Sequence, residues 1–500
     1  MHRAGMREVQ SKNPTTKDTC PLTNPLEVSK PAQPVALTDW LRHRHFALAV
    51  FLLAYFLYFT WGSLAVHFAP DDMENLARYW GMKPLQLVVA QFLPWRGFYR
   101  PLAGLFYVPL FRAFGFNPVP FHAVILILLV ANIYQAHRLA RLLGCGEAAA
   151  ALAALMVAYH PGLTNLTYNI AFVYDVLCCF FYLGALIYYT GIRASGRELS
   201  GREIAVFLGL FLCALNSKEM AVTLPVMLLV YEWLYRERRW FRVAGLAFAI
   251  DALYVYGKAF RPGAMAAEAE YHPVFSWERL LDFQIRSLSD LAEKWNYFTA
   301  AGVLVFWLAV LYLAWRRRRP ELRFCSLMLA IAPVPIEFIP GRAGACLYIP
   351  FIAWAIFCAT VFVDLAEAAA RFLAGDPVFR VLGRSGAFSL LTVVAVVLLI
   401  RRNEHLHRSY VEPVMAQTGV LTAQVLEQFH AVNPHPRPHS SVVFLNDPFQ
   451  DWDMAFIAEL WFRDRTVHIK LHRKTPLPPD ELARANYLFD YRDGRLIQVR

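Results

Sequence analysis

The last hundred residues contain no cysteine, and none of the eight cysteines in the chain falls in a CxxC pair. Disulfides therefore do not hold the C-terminal region together, and no zinc-finger spacing is present. Cys145, Cys178, Cys179, Cys213, Cys325 and Cys358 lie in or beside apolar segments, where cysteine behaves as a small hydrophobic residue. Charge is scarce too. Only 17% of the 500 residues are charged and 57% are hydrophobic, whereas soluble domains carry roughly 25% charged residues. Most of the chain must therefore face lipid or the interior of a helix bundle. The first forty residues lack an apolar core and so do not read as a signal peptide. Polar and rich in proline (Pro14, Pro21, Pro25, Pro31, Pro34), residues 1–40 are expected to form a disordered cytoplasmic tail.

The net charge is +11, but no basic stripe interleaved with aromatics occurs on a soluble segment, which argues against nucleic acid as a partner. The basic residues sit instead in short clusters between apolar runs, as the positive-inside rule expects of cytoplasmic links. Such clusters are Arg138/Arg141, Arg193/Arg197/Arg202, Arg236/Arg238/Arg239/Arg242, Arg316 to Arg319 with Arg323, and Arg371/Arg380/Arg384.

The apolar runs predict about eleven spanning helices. The first, Phe46 to Phe68, follows Arg42, His43, Arg44 and His45. The rest fall near 119–138, 147–160, 171–190, 203–216, 219–235, 242–259, 297–315, 323–339, 345–365 and 387–400. An all-α membrane domain over 41–400 results. Its first outer loop is 69–118, with Pro101 to Phe116 lying in the interface, and a second covers 260–296. That second loop contains an amphipathic stretch, Trp277 to Trp295. The runs near 147–160 and 203–216 are shorter than the roughly 20 residues of a full span. They must borrow flanking residues or stop part-way, and their flanks are where polar residues collect.

Residues 401–500 read as a small α/β domain, with strands at Ser441–Leu445, Thr466–Leu471 and Asn486–Asp490 and a helix at Met454–Phe462. Arg401, Arg402 and Arg408 would hold it in the cytoplasm, whereas an odd number of spans places it outside. The parity reading is adopted here.

Ionisable residues in membrane segments are costly, and so are functional candidates. Here they gather at one predicted face: Asp71 and Asp72 after the first span, Arg100, His160, Asp175, Lys218-Glu219 and Arg342. Taken singly, each is accounted for by mutual neutralisation in a wet bundle mouth; as a set they predict a polar cavity built from several loops. Glu232 and Asp364 fall at the opposite ends, where pairing with neighbouring arginines suffices. Asp251 lies mid-span and is expected to make a structural polar contact. The triplet Asp451-Trp452-Asp453 is expected to be a surface turn.

The stretch Leu215-Asn216-Ser217-Lys218-Glu219-Met220-Ala221-Val222-Thr223-Leu224-Pro225, running on to Tyr231-Glu232-Trp233, resembles GT-C glycosyltransferases. The likeness is to the protein O-mannosyltransferase type and to the membrane part of the tetratricopeptide-containing O-mannosyltransferases. Further segments agree in order: Pro70-Asp71-Asp72, Tyr99-Arg100-Pro101-Leu102, Phe114-Gly115-Phe116-Asn117-Pro118 with His122, His160-Pro161 with Asp175, and Arg342 with Leu347-Tyr348-Ile349-Pro350. The resemblance covers roughly 45 to 365, and no tetratricopeptide repeat is visible in 401–500.

What the resemblance implies is a membrane transferase of the GT-C fold. It would invert the anomeric centre while moving a sugar from a polyprenyl-phosphate donor to a hydroxyl on a protein, lipid or glycan acceptor. In a bacterium the site would face the periplasm from the inner membrane; in a eukaryote, the lumen of the endoplasmic reticulum. The bacterial placement is favoured. Asp71 is the expected base, Asp72 its neighbour or a metal ligand, and Asp175 an acceptor-orienting or metal-binding acid. A divalent cation, magnesium or manganese, is left open, with Asp72 and Asp175 as its expected ligands. Arg100, Lys218 and Arg342 are expected to hold the donor phosphate, with His160, Glu219 and Tyr348 in support. A transporter or flippase, or a ligase or polymerase using lipid-linked glycans, is the alternative. No paired broken helices of the kind found in transporter repeats are visible.

Overall fold

The computed structural model describes residues 35–261, 264–265, 268–292, 298–374 and 382–500, with side chains from residue 45 onward. The expected tail up to residue 34, Trp295 and Arg380 lie outside the described residues. Helix α1 (Val35–Thr60) begins within the stretch read as tail. It starts in an N-terminal unit that ends at Leu48, and all that follows concerns the second unit, Ala49–Arg500.

Helices α2 (Pro70–Tyr79), α3 (Pro84–Gln91) and α4 (Pro101–Phe114) make up the first loop region. The bundle continues through α5 (Val119–Leu142), α6 (Glu147–Ala158), the single turn α7 (Asn165–Tyr168), α8 (Val173–Ala194) and α9 (Gly201–Leu215). Then come α10 (Leu224–Tyr235), α11 (Arg242–Val255) and the amphipathic α12 (Trp277–Leu291). Helices α13 (Ala300–Arg316), α14 (Pro320–Ile331), α15 (Val334–Glu337), α16 (Tyr348–Leu373) and α17 (Gly383–Leu406) complete it. Helix thus forms in every apolar run read from the sequence. Among the described residues, six helical stretches are long and apolar enough to cross a bilayer: His45–Ala65, Val119–Leu142, Ile170–Ala194, Arg242–Phe260, Gly344–Leu373 and Gly383–Val432. The chain is an integral membrane protein. On α17, Val393, Val394, Val397 and Leu398 stay exposed, as lipid-facing residues do.

The two short runs stop part-way. Helix α6 has 12 residues, about 18 Å of helix, and ends where Pro161 cannot continue it. Helix α9 ends at Leu215 and α10 begins only at Leu224, with a 3-10 turn, Glu219–Thr223, between them. Non-helical backbone at membrane depth is tolerated where protein buries it. That holds here: Asn216, Ser217 and Lys218 are buried, and the Asn216 carbonyl accepts from Leu102 N at 3.3 Å.

At the opposite end of the bundle, Glu232 takes both Arg193 Nε (2.7 Å) and Nη2 (2.9 Å) and the Trp240 backbone N–H (2.9 Å). Asp364 pairs with Arg317 and Arg319. These acids are neutralised there, as expected.

The C-terminal part follows the short helix α18 (Glu412–Met415) and α19 (Val420–Val432). It comprises β1 (Ser441–Phe444), α20 (Asp453–Phe462), β2 (His468–Leu471), α21 (Pro479–Arg484), β3 (Tyr487–Arg492) and β4 (Arg495–Gln498). The sheet order is β2-β1-β3-β4, with β1 parallel to β2 and β3, and β4 antiparallel to β3. Parallel neighbours require crossovers, which α20 and α21 provide. The domain docks on α2 and α4: Trp80 Nε1 donates to Glu459 Oε1 at 3.0 Å, Arg465 lies over the Trp80 ring, and Phe116 stacks on Trp461. It therefore sits at the end of the bundle that carries Asp71 and Asp72. Arg401, Arg402 and Arg408 do not draw it to the other end.

Candidate active site

The acidic pair opens α2 rather than trailing the first span. Pro70 occupies the first helical position, and the two acids stand in the first turn, where the helix dipole favours negative charge. One helical step separates their surroundings. The Asp72 side chain turns inward, is 0% exposed, and Oδ2 accepts the Ala69 N–H at 2.7 Å, capping the helix. Its Oδ1 makes no hydrogen bond. Burial pushes the Asp72 carboxyl up to about 8 against that capping bond, and Asp71 adds to the rise. Asp71 itself remains open at the helix tip. Its carboxyl is raised from the ordinary range by the crowding of nearby protein and by Glu74 and Asp451, while Arg342 opposes the rise.

Asp451 belongs to the small domain. The triplet read as a surface turn leads into α20, which lies beside α2, so Asp451 and Asp453 both reach the field of Asp71. Burial and the neighbouring Asp451, Asp71 and Glu74 carboxylates raise Asp453 to about 6. Replacing Asp451 by Asn removes a negative charge from this group and lowers the Asp71 pKa. If Asp71 acts ionised, the acid limb of the activity profile moves to lower pH. A kcat/KM profile for Asp451→Asn checks this; an unmoved limb contradicts it.

The Lys218-Glu219 segment explains itself by local geometry. Lys218 is extended (φ −160°, ψ 151°), and successive side chains of an extended chain point to opposite sides. Lys218 thus turns to α8, where Nζ donates to both Asp175 carboxylate oxygens, at 2.6 and 2.7 Å, and lies 3.2 Å from Cys346 Sγ. Glu219 turns the other way and takes a two-pronged contact from Arg100, Nε to Oε1 at 3.1 Å and Nη2 to Oε2 at 2.8 Å. Arg100 adopts a left-handed backbone (φ 36°). That strain is held by the Tyr79 hydroxyl, which donates to the carbonyls of Tyr99 and Arg100 at 2.9 and 3.2 Å. The guanidinium lies over the rings of Tyr99 and Tyr174, and Tyr174 donates to Asn75 on α2.

Arg342 approaches the same cluster from the loop before α16. Its guanidinium lies 4.8 Å from the Tyr271 ring centroid, and Tyr271 shares a 2.8 Å hydrogen bond with Tyr99. Arg100, Glu219 and Arg342 therefore line one tyrosine-rich region, Asp71 lies within the field of Arg342, and Lys218 and Asp175 pair on the other side of the Lys-Glu segment.

His160 and Tyr348 stand apart from it. His160 Nδ1 accepts from Gly162 N and Nε2 faces the Leu291 carbonyl, each at 3.2 Å, which pins its loop to α12. Tyr348 is buried, and both residues line a small cavity with Leu129 and Val157. Both acids expected as metal ligands are engaged by the protein itself. Asp72 is buried in its cap and Asp175 is held by Lys218, and among the described residues no three His, Cys, Asp or Glu side chains gather as metal ligands.

Two residues of α11 and its extension add to the set. Asp251 is buried, and its Oδ1 has no partner, so the structural contact expected for it is incomplete. Lys258, on a π-helical turn Tyr256–Phe260, points into the tyrosine cluster. A lone lysine in an apolar run was the signal available for it.

These features define a helical membrane bundle with broken helices, acids on the first loop, and a small C-terminal domain over the same end. Among solved structures, the chain is similar to the archaeal oligosaccharyltransferase AglB from Archaeoglobus fulgidus in complex with an inhibitory peptide and a dolichol-phosphate. That likeness has a TM-score of 0.51 and 13% identity over 90% of this chain and 70% of the other. It is also similar to the Archaeoglobus fulgidus oligosaccharyltransferase tethered to an acceptor peptide containing the NVT sequon, at TM-score 0.50 and 12% identity, over 86% of this chain and 64% of that one. At such identities the likeness establishes the fold. No family model matches the chain, and no curated protein matches it in sequence.

Proposed function

We propose that the chain is an inverting glycosyltransferase. It moves a sugar from a polyprenyl-phosphate-linked donor to a hydroxyl acceptor on the extracytoplasmic face of the membrane. The observation that carries the reading is the convergence, on one bundle end of this fold, of an open carboxylate with raised proton affinity (Asp71) and the cations Arg100 and Arg342.

A hydroxyl is a poor nucleophile until a positioned base takes its proton. In this reading Asp71 accepts that proton as the acceptor oxygen bonds to the anomeric carbon. The bond from that carbon to the phosphate oxygen breaks on the opposite face, and the polyprenyl phosphate leaves with the electron pair. Its charge calls for fixed cations rather than an acid. Arg342 serves that need directly, with Arg100, paired to Glu219, beside it, and Lys218, through Asp175, holds the Lys-Glu segment in place. Asp72 supports the helix that carries the base.

The likeness to oligosaccharyltransferases, one of them solved with dolichol-phosphate, favours a second form of the reading, in which the donor carries an oligosaccharide. Membranes containing the chain, given labelled polyprenyl-phosphate hexose or labelled lipid-linked oligosaccharide, separate the two. Transfer of label from either donor supports the proposal. Flux of intact donor across vesicles without consumption refutes it in favour of a transporter.

A further inference from the structure

Three cations surround the ring of Tyr99. The Arg78 guanidinium lies 4.1 Å from its centroid, that of Arg100 4.9 Å, and the Lys258 ammonium 5.9 Å. Arg78 is paired with Glu74 at 2.7 Å and Arg100 with Glu219 at 2.8 Å. Lys258 forms no ion pair with any described residue. Glu219, already engaged by Arg100, and the exposed Glu268 are the carboxylates whose field reaches it. Of these three cations, Lys258 is thus the one with no carboxylate paired to it.

The Lys258 side chain is only 6% exposed, and its hydrogen bond is to the Phe98 carbonyl at 2.8 Å. A buried ammonium has three N–H donors to satisfy, and leaving them unmatched is costly. One turn earlier on the same face, Tyr254 is 2% exposed and its hydroxyl has no partner. The Lys258 ammonium sits 5.4 Å from that ring. Asp251, two turns back and about 10 Å away along the axis, also has an unpartnered oxygen.

The turn that bears Lys258 is built to tight tolerance. A Cβ on Gly257 would lie 2.5 Å from the Pro94 carbonyl oxygen, and one on Gly97 (φ +67°) 2.3 Å from the Gly257 oxygen. Two glycines thus let the π-turn press against the loop before Arg100 and deliver the ammonium to Phe98. Single π-turns of this sort are frequent at functional sites.

Unfilled donors from an ammonium and a phenol, beside a guanidinium, are what a phosphate group takes up. We propose that Lys258, with the Tyr254 hydroxyl, binds the phosphate of the isoprenoid-linked donor, making Lys258 the principal phosphate cation and Arg100 its neutralised partner. The assignment rests on the donor reading above. It requires no movement of Arg100 away from Glu219.

The test uses the full-length protein in detergent or nanodiscs, with farnesyl phosphate as the probe and farnesol and inorganic phosphate beside it. Lys258→Gln is expected to weaken farnesyl phosphate about 10- to 100-fold, the effect of losing a charged hydrogen bond. Tyr254→Phe, which removes one hydroxyl and keeps the ring, is expected to weaken it about 2- to 10-fold. Lys258→Arg is expected to keep most of the affinity, and farnesol binding is expected to be unchanged by all three. Equal binding by wild type and both truncating variants, equal loss for farnesol, or no binding by the wild type overturns the assignment. If the wild type binds farnesyl phosphate through Lys258 yet transfers sugar from no polyprenyl-linked donor, the transferase reading fails and the phosphate site stands.

Discussion

Asp71→Asn is expected to lower sugar transfer by about 100- to 10,000-fold, the usual range for loss of a positioned base. The amide keeps the size and helix-tip position of the carboxylate but cannot accept the proton. Membrane levels and thermal stability should match the wild type, because the Asp71 side chain is open and the capping role belongs to Asp72. The rate in purified membranes, normalised to protein, decides the matter; full activity in this variant removes Asp71 from the mechanism. Asp72→Asn gives the complementary control. Its carboxyl is buried and its Oδ1 has no partner, so an amide there buries unmatched N–H donors and should lower stability more than the chemical step.

Lys218→Ala is expected to act first on stability. The Lys218–Asp175 pair is almost fully buried, and truncating one partner leaves an unpaired buried charge, typically a loss of about 3–5 kcal/mol. The purified variant should melt well below the wild type, and the second change Asp175→Asn should recover much of the loss by removing the stranded charge. A Lys218→Ala protein that melts like the wild type, with only its donor KM raised, contradicts this and restores direct phosphate binding by Lys218. The revision follows from geometry: the ammonium has both oxygens of Asp175 within 2.7 Å, so its charge is already matched.

Much of the architecture was legible because bilayer thickness imposes long apolar runs, and helix duly forms in each of them. The two short runs correctly marked the places where chain leaves the helical state, around His160 and Asn216–Thr223. The small α/β domain was legible from its alternating short strands. What sequence could not decide was pairing. Lys218 and Glu219 are neighbours whose partners, Asp175 and Arg100, come from distant elements, so which cation remains unmatched depends on tertiary contacts alone. The Asp72 role was within reach: proline followed by two acids is the start signal of a new helix, which makes a capping carboxylate the natural reading. Asp451 was not, because its proximity to Asp71 arises from docking of α20 on α2. Lys258 was not legible either, since no sequence rule announces a π-turn held by paired glycines.

The C-terminal domain lies at the end of the bundle that carries Asp71 and Asp72. Three arginines after the last span argued for one side and helix parity for the other. The contacts of Trp80 with Glu459 and of Phe116 with Trp461 place the domain at the end that carries the acids. Its first crossover loop thereby becomes a wall of the proposed site rather than a remote surface.

The central claim is that one extracytoplasmic carboxylate drives sugar release from a polyprenyl-phosphate carrier. Its most direct test is to follow release of free polyprenyl phosphate by purified wild-type and Asp71→Asn protein, with a defined lipid-linked sugar and a mixed pool of hydroxyl acceptors. The account predicts acceptor-dependent release by the wild type and almost none by the variant. Equal release by the two proteins, or none by the wild type with any lipid-linked sugar, contradicts it.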